Sequence, residues 1–359
     1  ICEDWPNHAP DYDSSLLEDL QNVNIHRINS YKPRGVERLF VRNVYPWIYP
    51  ARTPYNWWKL ARKKAYELCA TGDFDVIVAS HDPLSTLSIA SEISQHFKIP
   101  WVADIRDSWN VQTLSSPRKQ KMIASLEKKY CKDADRVVTV SNEISQVLEH
   151  IINKKVYVVQ NGFDENIFNV PTDEKANTFI ILYAGSFAKT RQNPIPLFRA
   201  LNQSISLGMI PSNLIEVCFL GSPKNLFSED ELKIFGQVSV RFMDRVSRKE
   251  ALMIMRSASL LWVIPHPHEK GVLTGKIFDY LATGRPIVAI PDDFGEINRL
   301  LRETKAGFSI SKQEEILEKI YYLFTCWKRD KRFTLNYNTK EISKHRRDEK
   351  TKQLSEVLN

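Results

Sequence analysis

Short apolar, β-branched runs recur along the chain, separated by stretches of helical periodicity. The first half carries Asp75–Ser80, Trp101–Arg106, Arg136–Ser141 and Lys155–Gln160. The second half carries Phe179–Gly185, Ile215–Gly221, Val238–Met243, Ser259–Pro265 and Arg285–Pro291. Nearly continuous apolar runs of this length predict parallel strands covered on both faces. Helical stretches of roughly 10–20 residues separate most of them, which predicts βαβ units. The expected fold class is therefore α/β, with two Rossmann-like, doubly wound parallel-sheet domains facing a cleft. Such sheets bind ligands at the carboxyl ends of their strands.

A boundary is expected near residues 165–178. Asn161-Gly162-Phe163-Asp164 ends a strand there, and Pro171-Thr172-Asp173-Glu174 reads as polar linker. The domains predicted are 1–168, 169–338 and a helical tail over 339–359. The last stretch, Asp348–Leu358, has the composition of an exposed helix. The opening Ile1-Cys2-Glu3-Asp4-Trp5-Pro6 reads as the end of a strand. A doubly wound domain normally begins with a buried strand, a Gly-rich turn and a helix. Either the sequence is a fragment or the first domain lacks its first strand.

Composition narrows the classes. The chain has 359 residues, 43% hydrophobic and 26% charged, enough to bury a core in each half and too apolar for wholesale disorder. No run approaches 18 apolar residues, and Ile1–Asp4 carries no signal-peptide pattern. The five cysteines are scattered and form no C-x-x-C pair, so reduced thiols in a cytoplasmic protein are expected, possessing neither metal nor disulfide framework. A net charge of +7 suits phosphates or an anionic surface, but no nucleic-acid motif appears and no nucleic-acid partner is expected.

The most informative segment is Gly271–Pro286, GVLTGKIFDYLATGRP. Strand Ser259–Pro265 runs into a loop, and a helix opens near Lys276. The backbone of Leu273-Thr274-Gly275 leads into it, and the first free N–H groups of such a helix can hold a diphosphate. Lys276 in the first turn opposes the helix dipole, which an anionic ligand would explain. Asp279 lies three residues on, on the same face, where it can accept from ribose hydroxyls. An ion pair on an ordinary surface helix fits the same pattern. Lys189 and Arg191 follow the strand Phe179–Gly185 at its carboxyl end, and Arg245-Val246 follows Val238–Met243 in the same way. These cations suit a charged leaving group, although a solvated basic loop would look alike. Ser247 and Glu250 predict a capping box.

Lys276-Ile277-Phe278-Asp279-Tyr280-Leu281-Ala282-Thr283-Gly284-Arg285-Pro286 resembles the donor-binding signature K-[LI]-F-E-Y-L-A-x-G-x-P of family 4 glycosyltransferases, which have the GT-B fold. Asp279 stands where that family has Glu, and Gly271 where a second Glu is common. Other segments resemble the family in the same order: Phe74–Pro83, Ile99–Trp109, Ala134–Ser141, Asn161–Asp164, and Tyr183-Ala184-Gly185 followed by Arg191. The resemblance runs from about residue 74 to 311. It implies a retaining, metal-independent transfer from a nucleotide-sugar donor to a glycan or lipid-linked acceptor, without a cofactor. It assigns Asp279 to the ribose, Gly185 to the opening of the donor domain, and the Arg245-Val246 turn to the base. It also implies an N-terminal strand and Gly-rich loop, roughly 40 residues, that this sequence does not show.

On the acceptor side, Asp107 is the first choice for the acceptor hydroxyl and Asp104 the second. Both follow or end the strand Trp101–Arg106. A helix cap or an ion pair with Arg106 is the alternative for each. His81 follows Asp75–Ser80 in a similar position, and a hydrogen-bonded loop histidine is the favoured alternative for it. Asp73-Phe74-Asp75, Asp292-Asp293 and His266-Pro267-His268 superficially resemble metal sites, but the first begins a strand rather than ending one, the second is an isolated pair, and the third has no Cys or third His nearby in sequence. The aromatic stretch Val44–Trp58, with Lys59, Arg62, Lys63 and Lys64, suits peripheral contact with the inner face of a membrane, or helical packing within the first domain. The leading expectation is a glycosyltransferase of surface-polysaccharide synthesis. The alternatives are a nucleotide-sugar epimerase on the same fold and a non-catalytic glycan-binding or assembly protein.

Overall fold

The structure is a computed structural model that describes residues 1–3, 20–29, 34–44, 55–81, 83–106, 117–165, 177–189, 191–266, 271, 273–331 and 336–358. The chain divides into two compact units, Ile1–Val159 with Leu354–Asn359, and Gln160–Gln353.

In the first unit, β1 (Cys2–Glu3) pairs in parallel with β2 (Arg27–Ile28). Helices α1 (Gly35–Asn43) and α2 (Tyr55–Thr71) follow. Then come β3 (Ile77–His81), α3 (Ser85–Phe97), β4 (Trp101–Ile105), α4 (Pro117–Cys131), β5 (Arg136–Thr139), α5 (Asn142–Ile152) and β6 (Val156–Val158). The strands form a parallel sheet in the order β3-β4-β5-β6. All five residues of β4 are buried, Asp104 included, as suits a central strand with helices on both faces. β5 stops short of the predicted Ser141 because Ser141 turns to cap α5, accepting from the Ile144 N–H at 3.3 Å. β3 is an outer strand of this sheet, and Val78 on it and Val76 just before it are exposed. A cavity of about 630 Å³, lined by Ile1, His26, Trp57, Val78 and Ile93 among others, lies on that side.

The second unit runs through β7 (Phe179–Ala184), α6 (Ile195–Ser206), β8 (Ile215–Leu220), α7 (Glu229–Phe235), β9 (Ser239–Met243) and α8 (Arg248–Ser257). It continues with β10 (Leu260–Val263), α9 (Gly275–Thr283), β11 (Ile287–Ala289), α10 (Glu296–Thr304), β12 (Gly307–Ser309) and α11 (Gln313–Asp330). Helices α12 (Thr339–Ser343) and α13 (Arg347–Leu358) form the tail. The sheet order is β12-β11-β10-β7-β8-β9, all parallel. β7 shows why both faces must be covered. Phe179, Ile181 and Tyr183 enter one core with Phe198, Phe219, Trp262 and Phe324, while Leu182 and Ala184 enter the other with Leu261, Phe278 and Tyr280.

β12 was not apparent in the sequence. It has three residues, none fully buried, and its pairing depends on Gly307, where a Cβ would meet the Ile287 carbonyl oxygen at 1.8 Å. The capping pattern also differs from expectation. Ser228 and Glu231 make a reciprocal capping box on α7, whereas Ser247 caps α8 by accepting from Glu250 N–H.

The segment after β6, assigned from sequence to the first domain, packs with the second unit. Phe163 donates its N–H to His345 O at 3.0 Å and accepts from Arg347 N–H at 2.9 Å. His345 is 5% exposed and lies against Phe278, with ring centroids 5.5 Å apart. Neither ring nitrogen has a hydrogen-bond partner among the described residues. Burial, reinforced by Lys350, pulls His345 down to about 4. A free histidine titrates at about 6.5, so the unfolded chain takes up the proton first. The stability is fully present above that value and declines as pH falls toward the folded value, by about 3 kcal/mol in all. The unfolding temperature is expected to drop more steeply between pH 6.5 and 4 in the native protein than in His345→Leu. Equal slopes in a thermal titration would refute this.

Candidate functional site

In the second unit the first strand, β7, lies at the centre, and the strand order reverses between β7 and β10. Open α/β sheets bind ligands outside the carboxyl ends of their strands at such a switch point. The turns after β7, β8 and β9 and the start of α9 converge at that end. Gly185 follows β7 with φ of +123, and a Cβ there would lie 2.7 Å from Lys276 Nζ. Lys276 donates to the Tyr183 hydroxyl at 3.0 Å and sits over that ring at 4.4 Å. Arg245 donates to Ser186 Oγ at 2.6 Å. Its Cγ is 3.4 Å from where a Cβ on Gly221 would be, and Ser222 Oγ donates to Gly185 O. The glycines thus let two cations close on one backbone turn.

Helix α9 is set for this by its pattern. Ile277, Phe278, Tyr280 and Leu281 are buried, and Gly284 ends the helix in the left-handed conformation. Thr274 occupies the cap position and makes no side-chain cap bond. Gly275 is exposed and has open space where a Cβ would be. The first amides of the helix therefore keep their capacity for an anion. Of the other predicted donor contacts, Leu273 is buried in the core, so its side chain packs rather than faces a ligand. Val246 packs partly against the same core. Lys189 is exposed on the loop after β7, and Arg191 is half-buried with its N–H on Ala188 O at 2.9 Å.

Asp279 is in an ion pair, the alternative weighed for it, but its partner is Arg248 at 2.9 Å. Arg248 also approaches Asp164 at 3.6 Å, and Asp164 pairs with Arg347 at 2.8 Å. Burial pushes the Asp279 carboxyl up, against the pull of Arg248 and Arg347. Arg248, Asp164 and Arg347 were not singled out from the sequence. A signal existed for Arg248, a cation in the first turn of α8 that opposes the dipole as Lys276 does.

In the first unit, the register pairs Ser80 with Asp104 and His81 with Ile105. Asp104 accepts from Ser80 Oγ and from Arg106 Nε at 2.8 Å. Side chains alternate across a strand, so His81, which is buried, lies on the opposite face from Asp104. Asp107 lies outside the described residues. Among the described residues no cluster of three His, Cys, Asp or Glu could hold a metal ion. Asp293 caps α10, accepting from Ile297 and Asn298 N–H at 2.9 Å, and Asp292 accepts from Ser309 Oγ at 2.7 Å. His268 and residues 45–54 lie outside the described residues. Trp57 packs in the core with Ala61, Ala65, Ile89 and Ile93. Among the described residues no helix is long and apolar enough to cross a membrane.

Residues 20–166 match the model of a family described as Glycosyltransferase Family 4. No curated protein sequence matches the chain. Solved structures do. HepE from Anabaena, in complex with UDP and glucose, is 16% identical, with 96% of this chain and 88% of that one covered and a TM-score of 0.65. The chain has the GT-B fold. Sucrose-phosphate synthase from Thermosynechococcus elongatus is also 16% identical, covering 82% of this chain and 75% of that one, with a TM-score of 0.60. A protein assigned as a UDP-N-acetylglucosamine 2-epimerase, from Listeria monocytogenes, is 10% identical, covering 87% and 77%, at 0.51. The family match lies mostly within the first unit, whereas the convergent cations belong to the second.

Arg248→Met would leave Asp279 in its half-enclosed position without its nearest cation. Because Arg248 is 30% and Asp279 18% exposed, the expected loss is discounted to about 1–3 kcal/mol. Adding Asp279→Asn should recover part of it. Urea unfolding of the single and double variants measures both, and an additive double variant would show that the pair is not coupled.

Proposed function

We propose that this chain is a glycosyltransferase that moves a sugar from a nucleotide-sugar donor to a glycan or lipid-linked acceptor. The observation that supports it best is the approach of Lys276 and Arg245 to the Gly185-Ser186 turn, beside the uncapped start of α9. Two cations beside a helix start without a side-chain cap suit a diphosphate, whose negative charge grows as the sugar leaves. In this reading Asp279 accepts from the ribose hydroxyls through the oxygen that Arg248 leaves open. The Arg245-Val246 turn meets the base.

The reaction needs no residue as nucleophile. The bond between the anomeric carbon and the phosphate oxygen breaks, and its electron pair goes to the diphosphate. The acceptor oxygen forms the new bond to that carbon, and its proton passes to the leaving phosphate. Retention at the anomeric carbon is part of the proposal, as is independence from metal, since Lys276 and Arg245, with Lys189 and Arg191 on the loop that follows Gly185-Ser186, stand in for a cation. Asp107 and Asp104 are the proposed acceptor contacts, with His81 the third candidate. Placement in surface-polysaccharide synthesis at the inner face of the membrane belongs to the same proposal. HepE holds UDP and glucose on the same fold, so UDP is the first nucleotide to try.

Calorimetry with UDP, GDP and ADP tests the donor site. Lys276→Ala removes one charge-assisted contact of about 1.5–3 kcal/mol, and the best nucleotide is expected to bind roughly 10- to 150-fold more weakly. Transfer or donor hydrolysis should also persist in EDTA. Unchanged affinity in Lys276→Ala would refute the site, and activity lost in EDTA and restored by Mg²⁺ would refute metal independence.

A further inference from the structure

Among the described residues, the recorded hydrogen-bond partner of the Lys276 ammonium is neither a carboxylate nor a backbone carbonyl. It is the Tyr183 hydroxyl, at 3.0 Å, with the ring itself 4.4 Å beneath the charge. Tyr183 is wholly buried and packs edge-on to Trp262, centroids 6.2 Å apart. Its hydroxyl also lies 3.0 Å from Ser186 O and 3.1 Å from Gln192 Oε1. A phenol has one proton to give. Lysine can only donate, so Lys276 gives a proton to the hydroxyl, which gives its own to Ser186 O or Gln192 Oε1.

Gln192 completes the arrangement. It is 8% exposed. Its Oε1 accepts from Ala188 N–H at 2.8 Å, and its Nε2 donates to Ile264 O, just past β10, at 2.6 Å. One polar chain thus runs from Lys276 through Tyr183 and Gln192 across the point where the strand order reverses. A phenylalanine would fill the same volume without burying a hydroxyl, so packing alone does not call for a tyrosine.

We propose that Tyr183 is the positioning residue of the diphosphate site: its hydroxyl, braced by Gln192, holds the Lys276 ammonium against the Gly185-Ser186 turn before a ligand arrives. The inference rests on the donor-site reading above and deepens it. A lysine side chain has many rotamers, and fixing it in advance removes a cost otherwise met on binding. Gly185 is part of the same device, because any Cβ there would fall within 2.7 Å of Nζ.

The test uses the whole chain and its Tyr183→Phe, Lys276→Met and doubly substituted variants. UDP affinity is measured by calorimetry, uridine affinity by ligand-observed NMR, and unfolding midpoints by thermal melting. Tyr183→Phe should weaken UDP by about 5- to 20-fold while uridine changes by less than about twofold. On a Lys276→Met background the same substitution should cost UDP nothing further. A merely structural role would weaken UDP and uridine together. That result, an unchanged UDP affinity, or an equal loss on the Lys276→Met background would overturn the inference and leave the donor site standing. A native chain with no affinity for UDP, GDP or ADP would remove the donor-site reading, and this inference with it.

Discussion

Ala184, the last residue of β7, donates its N–H to the Tyr280 hydroxyl at 2.7 Å, and Tyr280 is wholly buried in the middle of α9. The candidate donor site depends on this contact. Burial drives the Tyr280 hydroxyl well above its usual range, so it stays protonated as a fixed dipole in the core. Ile277, Phe278 and Leu281 fill the space around it and set the rotation of the helix. With 3.6 residues per turn, that rotation decides the direction of every other side chain on α9. Lys276 consequently emerges beside Gly185, and Asp279 toward Arg248.

The same helix carries the chain's tail. Phe278 meets His345, and His345 O receives the Phe163 N–H, so the segment following β6 and the start of the tail are fastened beside the face that bears Asp279. The alternating chain Asp279, Arg248, Asp164 and Arg347 runs across that junction. No carboxylate in it is left without a cation, which is how a mostly buried Asp279 remains compatible with charge. The ribose reading therefore requires a ligand to share Asp279 with Arg248, rather than to find it unoccupied.

The two units differ in how far chemistry can be read from them. In the second, charge, glycine and helix start coincide at one end of one sheet. In the first, Asp104 is engaged by Ser80 and Arg106, and His81 lies on the other face of the same sheet. The first unit nevertheless holds the stretch that matches the glycosyltransferase family. The stretch matched by the family model and the convergent cations therefore lie in different halves of the chain.

Much of this was legible in the residues alone. Runs such as Phe179–Gly185 and Ile215–Gly221 marked their strands because a strand buried on both faces must be apolar throughout. The segment from Lys276 to Pro286 announced a helix, its left-handed Gly284 cap and a cation where the dipole disfavours one. β12 was not legible, since its only local requirement is that Gly307 clear the Ile287 carbonyl, a neighbour from another strand. Tyr183 and Asp164 stood out only as members of family-like motifs, with no sign of the cations they would meet. Period and propensity determine which face of an element is apolar, because they act between residues a few positions apart. Ion pairs and hydroxyl partners join residues far apart in sequence, as Tyr183 and Lys276 are, so only the tertiary structure decided which polar groups meet.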